Sequence, residues 1–395
     1  MLVRRVSYPG TTPREQRGTS VRTWVAPGRV NIIGEHTDYN DGYVLPIALP
    51  LVVRCAAAER TDGRVRVGSR QRPGEPVLVA VSDLAPQRAR VPGWARYPLG
   101  VVAEFARRGH RIPGVEFDLD GAVPIGAGLS SSAALSCAVA VALRDLFAPE
   151  LTDRALIDVA RAAENDYVGA PTGLLDQSAA MLCTAGHALL LDVRAFAADA
   201  TAPRGAGYEQ IPFDLGAFGL ELLVIDTGQP HELVDGRYAE RREQCAAAAG
   251  VLGVATLREV ISPADADRIA DGVLRRRARH VVTENARVLA VAKKLRAGVD
   301  PRGIGPVLTA GHVSLRDDFE VSTPALDAAV EAALAAGAYG ARMVGGGFGG
   351  SVIALVDHDR TAIVVESVRQ HFARAGFAEP RTFVVVPAAG AHRIG

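Results

Sequence analysis

Apolar positions change their period along this chain, and each change marks an element. Between about residues 21 and 92, short runs such as Val65-Arg66-Val67 and Val77-Leu78-Val79-Ala80-Val81 are separated by turn residues, which is strand patterning. Val115-Glu116-Phe117-Asp118-Leu119-Asp120 alternates apolar and acidic residues and predicts a further half-buried strand. Helical periods then cover residues 129–147, 153–167 and 174–183, and a stretch rich in Ala, Pro and Gly at 195–209 predicts a boundary. Beyond it come a buried strand at 220–226 and several helices to about residue 337. The chain then runs as strand (342–344), glycine turn (345–350), strand (351–356), helix and strand (382–386). Strands mixed with helices, without regular βαβ alternation, predict an α+β protein rather than a doubly wound sheet. The expected division is a poorly ordered polar segment over 1–20, one domain over 21–200 and a second over 201–395.

Between strand and helix lies Gly126-Ala127-Gly128-Leu129-Ser130-Ser131-Ser132-Ala133-Ala134. Glycines let backbone N–H groups approach a polyphosphate, and the helix that follows points its positive end at the same place. The serine hydroxyls can bond phosphate oxygens or ligate a metal. An ordinary serine-capped helix would read similarly. The segment has no lysine and so departs from the usual P-loop. The whole chain holds only two lysines, Lys293 and Lys294, on what reads as the exposed edge of an amphipathic helix. Charge on a nucleotide must therefore be met by a helix N-terminus, Mg²⁺ and arginine.

Composition narrows the function classes. The 395 residues, 48% of them hydrophobic, suffice for two domains with large cores. With 44 basic and 44 acidic residues the formal charge is zero, which argues against a general nucleic-acid or anionic-membrane binder. The longest basic run, Arg275-Arg276-Arg277, reads as a solvated helix face. Cys55, Cys137, Cys183 and Cys245 lack metal-ligand spacing, and Cys137 and Cys183 read as small core residues. No apolar run is long enough to span a bilayer and no signal-peptide pattern is present. A cytoplasmic monomer without membrane or nucleic-acid partners is expected.

Three further stretches carry candidate chemistry. Residues 27–42, Pro-Gly-Arg-Val-Asn-Ile-Ile-Gly-Glu-His-Thr-Asp-Tyr-Asn-Asp-Gly, crowd polar side chains between glycine turns. That density suits a hydroxyl-rich ligand, since carboxylates accept O–H bonds, but a surface loop with an Arg29 ion pair is the alternative. Five glycines in Gly345-Gly346-Gly347-Phe348-Gly349-Gly350 imply a backbone packed closely against a phosphate or another strand. In Gly169-Ala170-Pro171-Thr172-Gly173-Leu174-Leu175-Asp176-Gln177, Asp176 falls in the first turn of a helix, where a carboxylate is stabilised even as a plain capping residue.

In this order, these four stretches resemble the galactokinase family, within the superfamily that includes homoserine, mevalonate and phosphomevalonate kinases. The resemblance runs from about Trp24 to the last strand, and the stretch Gly28–Gly42 is its most specific part. It implies a two-domain fold of the GHMP-kinase type, with a ferredoxin-like α+β second domain and the active site in the cleft between domains. It also implies transfer of the γ-phosphoryl of ATP to the C1 hydroxyl of D-galactose, the first committed step of galactose catabolism. By this resemblance Asp176 is the base and Arg29 its partner, opposing charge on the transferred phosphoryl. Glu35, His36, Thr37 and Asp38 hold the sugar, with Gly173 and Tyr238 closing its pocket. The backbone of Gly126, Ala127, Gly128, Leu129, Ser130, Ser131 and Ser132 wraps the ATP phosphates, and Ser132 and Glu164 hold Mg²⁺. Trp94 and Tyr97 fall near the adenine, and Ser69 on the nucleotide side. Thr172, Leu175 and Ala239 stand where the family often has Cys, Met and Asn; none removes a charge. A related kinase for arabinose or N-acetylgalactosamine would use the same chemistry. A non-catalytic sugar sensor is disfavoured, because such sensors lack the Ser-Ala pair found here as Ser132-Ala133.

Overall fold

The computed structural model describes residues 20–198, 206–229 and 236–394, so the segment expected over 1–20 lies, save residue 20, outside the described residues. Strands β1 (Arg22–Asn31), β2 (Tyr43–Val44), β3 (Pro46–Glu59), β4 (Arg64–Ser69), β5 (Val77–Ala80) and β6 (Val115–Gly121) open the chain. They are followed by β7 (His187–Asp192), β8 (Tyr208–Pro212), β9 (Leu220–Asp226), β10 (Gly340–Val344), β11 (Ser351–Asp357), β12 (Arg381–Val385) and β13 (His392–Ile394). A six-stranded sheet runs in the order β13-β1-β3-β6-β4-β5, antiparallel except for β4 beside β6. A small sheet, β2-β7-β8, adjoins it, and the second half forms the antiparallel sheet β10-β11-β9-β12. The principal helices are α1 (Arg96–Arg107), α2 (Ser131–Phe147), α3 (Asp153–Ala162), α4 (Leu175–Leu182), α5 (Arg237–Leu252), α6 (Gly272–Arg296), α7 (Gly305–Asp317), α8 (Pro324–Ala335) and α9 (Thr361–Ala375).

The expected α+β class and two-part organisation are present. In the second half, helices separate β9 from β10 and β11 from β12, and the strand order is that of the split βαβ arrangement. The boundary expected at 200 is crossed twice. Tyr208–Pro212 pairs with β7, and His392–Ile394 returns to pair with β1, so both belong with the sheets of the first half. What holds them there is backbone pairing, since Ile211 is the one buried side chain in the two strands, and an Ala/Pro/Gly-rich linker pattern cannot report such pairing.

The apolar helix α2 lies against β1 and β3 and fills the first core with Ala134, Cys137, Ala138, Val141 and Leu143, all fully buried. Trp24 is sealed beneath it and its Nε1 donates to Asp145 Oδ2 at 2.8 Å. Burying a side chain of that size contributes on the order of 2–3 kcal/mol. All four cysteines are buried and free. Among the described residues no helix is long and apolar enough to cross a membrane.

Local differences from the sequence reading have physical causes. Val81 leaves the strand for a short 3₁₀ turn, Val81–Asp83. Helix α3 stops at Ala162 and the next turn, Ala163–Val168, widens to a π-helix. Helix α1 forms although Pro98 and Gly100, residues that disfavour a helix interior, fall within it. Arg277 is not on a solvated face: it is 2% exposed and its guanidinium bonds Gln244, the Asp318 carbonyl and Glu320. Lys293 and Lys294 are exposed on α6, as expected.

Candidate active site

Three backbone segments stack to make the floor of the site. Arg29 N on β1 donates to Leu129 O at 3.1 Å, and its Nη1 donates to Gly128 O at 2.7 Å. On the other side Ser351 Oγ donates to Ala127 O at 2.7 Å. A Cβ on Gly345 would lie 3.1 Å from Gly128 O, so the second glycine turn packs directly on the first. Gly128 itself has φ +72°, a conformation that suits glycine. The alternative of a strand partner for the 345–350 turn is thus replaced by packing against the other glycine loop. Ser130 precedes α2 with φ 58° and makes no capping bond, so the N-terminal N–H groups of a helix longer than four turns remain aimed into the cleft.

Asp176 sits in the first turn of α4. Its Oδ1 accepts from Arg29 Nε at 2.7 Å, with Nη2 at 2.6 Å, and its Oδ2 accepts from Ser130 Oγ at 2.5 Å. Two pockets meet at this pair. One is lined by Glu35, His36, Asp38, Gly173 and Tyr238; the other by Gly126, Gly128, Leu129, Ser130, Ser131 and Ser132. Arg29 and Asp176 border both. A third pocket continues from Ser131 and Ser132 to Ser69, Trp94 and Tyr97, which places all three expected nucleotide-side residues together.

Within the first pocket, Asp38 is held by the α4 end, accepting from Leu175 N at 3.4 Å, and by Tyr39 N at 3.0 Å. Burial raises its pKa above the ordinary carboxylate value, and the Asp176 charge adds to the rise. His36, at φ 61°, bonds Tyr39 OH through Nδ1 at 2.8 Å and faces the rings of Tyr238 and Phe319. Two expected residues turn away. Thr37 is fully buried and the one proton on its Oγ1 is shared between the carbonyls of Gly34 and Tyr43, so it shapes the loop instead of facing the pocket. Ala127 is not among the residues lining the glycine-serine pocket, and its carbonyl accepts from Ser351.

Glu35 lies at the pocket wall in a buried ion cluster that the sequence did not disclose. Its Oε2 meets Arg342 Nη2 at 2.6 Å and accepts from Asn31 Nδ2 at 3.0 Å, while its Oε1 accepts from Gly345 N at 3.0 Å. Arg342, fully buried on β10, also faces Glu284 of α6 at 3.3 Å and donates to Ile32 O at 3.0 Å. Glu284 accepts from Gly34 N at 2.9 Å and from Arg287 Nε at 2.7 Å. One arginine between two carboxylates separates their acidities. Burial outweighs Arg342 at Glu35 and pushes it up to about 7. Burial acts on Glu284 as well, but Arg342 and Arg287 together hold it down to about 2. His280, buried and bonded to Glu35 O and Ser314, is lowered by burial to about 4 and stays neutral.

Glu164 projects from the π-turn into the space between α2 and α4. Its carboxylate bonds Ser132 and the Nε2 of Gln177, and burial pushes it up to about 7. The buried oxygens Gln177 Oε1 and Ser136 Oγ lie on the same elements without a partner. Among the described residues no group of three or more His, Cys, Asp or Glu side chains could hold a metal. The donors available are one carboxylate and one hydroxyl, which is the sparse oxygen set Mg²⁺ uses when phosphates and water complete its shell.

The fold and this pair of pockets define a small-molecule kinase of the GHMP type. The GHMP kinases N terminal domain matches residues 96–184 and the GHMP kinases C terminal domain matches 292–374, while the galactokinase galactose-binding signature matches 14–59. A galactokinase of Streptomyces coelicolor is 48% identical over 375 residues, 94% of each chain. The crystal structure of Lactococcus lactis galactokinase complexed with galactose superposes with a TM-score of 0.87 at 32% identity, over 95% of each chain. The Methanococcus jannaschii mevalonate kinase, at 16% identity and a TM-score of 0.67 over 95% of this chain and 99% of its own, shares the fold. The chain belongs to the galactokinase family of ATP-dependent sugar kinases.

Proposed function

We propose that this chain transfers the γ-phosphoryl of ATP to the C1 hydroxyl of α-D-galactose, with Asp176 and Arg29 as the residues at the reacting atoms. The observation that carries the assignment is Asp176 paired with Arg29 on the border between the polar pocket and the glycine-serine pocket. Phosphoryl transfer asks for positioning and charge stabilisation more than for covalent help. Asp176 orients the attacking hydroxyl and accepts its proton late, since a carboxylate is too weak a base to remove it first. Arg29 faces the charge that spreads over the transferred group. Glu35, His36, Asp38 and Tyr238 supply acceptors, a donor and a ring face suited to a hydroxyl-rich ring, with Gly173 leaving room for Asp38. The α2 N-terminus and the backbone of 126–132 receive the phosphates without a lysine.

The hydroxyl of Ser132 and the carboxylate of Glu164 would hold Mg²⁺, which neutralises phosphate charge when bound. Trp94, Tyr97 and Ser69 form the base end of the nucleotide pocket. The site is complete within one chain, which supports action as a monomer in the cytoplasm, where ATP and free sugar meet.

The test is ADP release with Mg-ATP across a panel of D-galactose, arabinose and N-acetylgalactosamine, beside Asp176→Asn. Galactose-dependent release that collapses by about a thousand-fold or more in the variant, with galactose still bound, is expected. Turnover confined to another sugar would overturn the substrate. Binding of sugar and ATP without any ADP would overturn catalysis.

A further inference from the structure

Ser130 adopts φ 58° and ψ 47°, a conformation that a non-glycine residue takes at a cost and keeps only where contacts hold it. The contact here is the 2.5 Å hydrogen bond from its Oγ to Asp176 Oδ2. The other carboxylate oxygen, Oδ1, is occupied by Arg29 at 2.7 and 2.6 Å. Asp176 borders both the sugar-side and the phosphate-side pockets, whereas Ser130 borders only the phosphate side. A serine hydroxyl carries one proton, and phosphate and carboxylate oxygens are both acceptors. Ser130 can therefore donate to Asp176 or to a phosphate, but not to both.

We propose that Ser130 is a positioning residue whose single hydrogen bond passes from Asp176 Oδ2 to a phosphate oxygen of the nucleotide, uncovering the carboxylate oxygen that receives the sugar hydroxyl. This rests on the sugar-kinase reading given above. The proton stays on Oγ throughout; only its acceptor changes. The sugar hydroxyl shares Oδ2 with Ser130, and that oxygen becomes the stronger acceptor for it once phosphate draws Ser130 away. Nucleotide and sugar binding are thereby coupled, and the coupling is reciprocal.

The test is calorimetric titration of galactose into wild type, Ser130→Ala and Ser130→Gly, each with and without the Mg complex of a non-hydrolysable ATP analogue. The glycine variant removes the hydroxyl while suiting the positive φ, so loss of coupling there is not loss of fold. Wild type is expected to bind galactose roughly ten-fold more tightly with the analogue, the scale of one hydrogen bond to a charged group. Both variants are expected to bind it as tightly without the analogue as wild type does with it, and to gain nothing further. Variants that keep the wild-type coupling overturn the inference. So does galactose affinity that falls equally with and without analogue, the mark of mere support for Asp176. A wild type that turns over galactose but shows no coupling overturns this inference alone. A wild type that neither binds galactose nor releases ADP overturns the kinase reading together with it.

Discussion

The carboxylate of Asp38 rests directly on the Cα of Gly173: a Cβ built there would lie 1.7 Å from Oδ2. The contact joins the signature loop after β1 to the segment that leads into α4 and Asp176. Any side chain at 173 must displace Asp38 from the position where it also accepts from Leu175 N. Gly173→Ala is expected to cost about 1–3 kcal/mol of sugar binding, roughly ten-fold or more in galactose KM. The nucleotide KM should not move. Initial-rate kinetics with each substrate varied in turn checks it, and equal rises in both constants would contradict the steric account.

Removing Arg342 leaves Glu35 and Glu284 buried side by side without their shared cation. Arg342→Met is expected to destabilise the fold by about 3–5 kcal/mol, read from urea unfolding at neutral pH.

Glu284 sets an acid limit to stability. Its folded value, about 2, lies below the ordinary 4.5, so the unfolded chain binds its proton first. Its contribution is complete above pH 4.5 and is lost as pH falls from there toward about 2. Glu284→Gln should flatten that part of the stability curve, measured by urea midpoints at pH 6 and at roughly pH 3. An unchanged slope would show that other carboxylates carry the acid limb.

Glu164 has the opposite shift: burial raises it to about 7, so it takes up a proton as pH falls through that value. Only the ionised form can ligate a cation, and cation binding displaces the proton. The Mg²⁺ concentration for half-maximal rate, at fixed Mg-ATP, is therefore expected to fall as pH rises from about 6 to 8. In Glu164→Gln that pH dependence should vanish. A Mg²⁺ requirement indifferent to pH in wild type would remove Glu164 from the cation site.

Trp94 tests the far end of the pocket proposed for the nucleotide. Trp94→Ala should weaken ATP by about 1–3 kcal/mol, the value of one base stacked on an aromatic ring, and leave galactose KM unchanged.

The elements that pack on their own periodicity were legible: the β9 range 220–226 coincides with its apolar run, and α2 and α4 begin just past their glycine turns, at Ser131 after Gly128 and at Leu175 after Gly173. So were the residues that gather at the cleft, Arg29, Asp38, Asp176 and the 126–132 loop, since they lie in short dense stretches. What escaped is non-local. Arg342 reads as one polar residue in a strand, and Glu284 as one on a helix; their value comes from partners hundreds of positions away. Thr37 reads like its polar neighbours, yet the loop's own carbonyls consume its hydroxyl. Ser130 reads as a phosphate donor, and only its backbone angle turns it toward Asp176.

The pairing of β1 with β13 has a consequence for the making of the protein. Thr23 lies opposite Ile394 and Val25 opposite His392, so one flank of the first strand is covered by residues that leave the ribosome long after it. Until then the six-stranded sheet presents an open edge, with backbone donors and acceptors available to any neighbouring nascent chain. Synthesis speed thus bears on yield: a pause in translation between the two strands lengthens the time that this flank is bare.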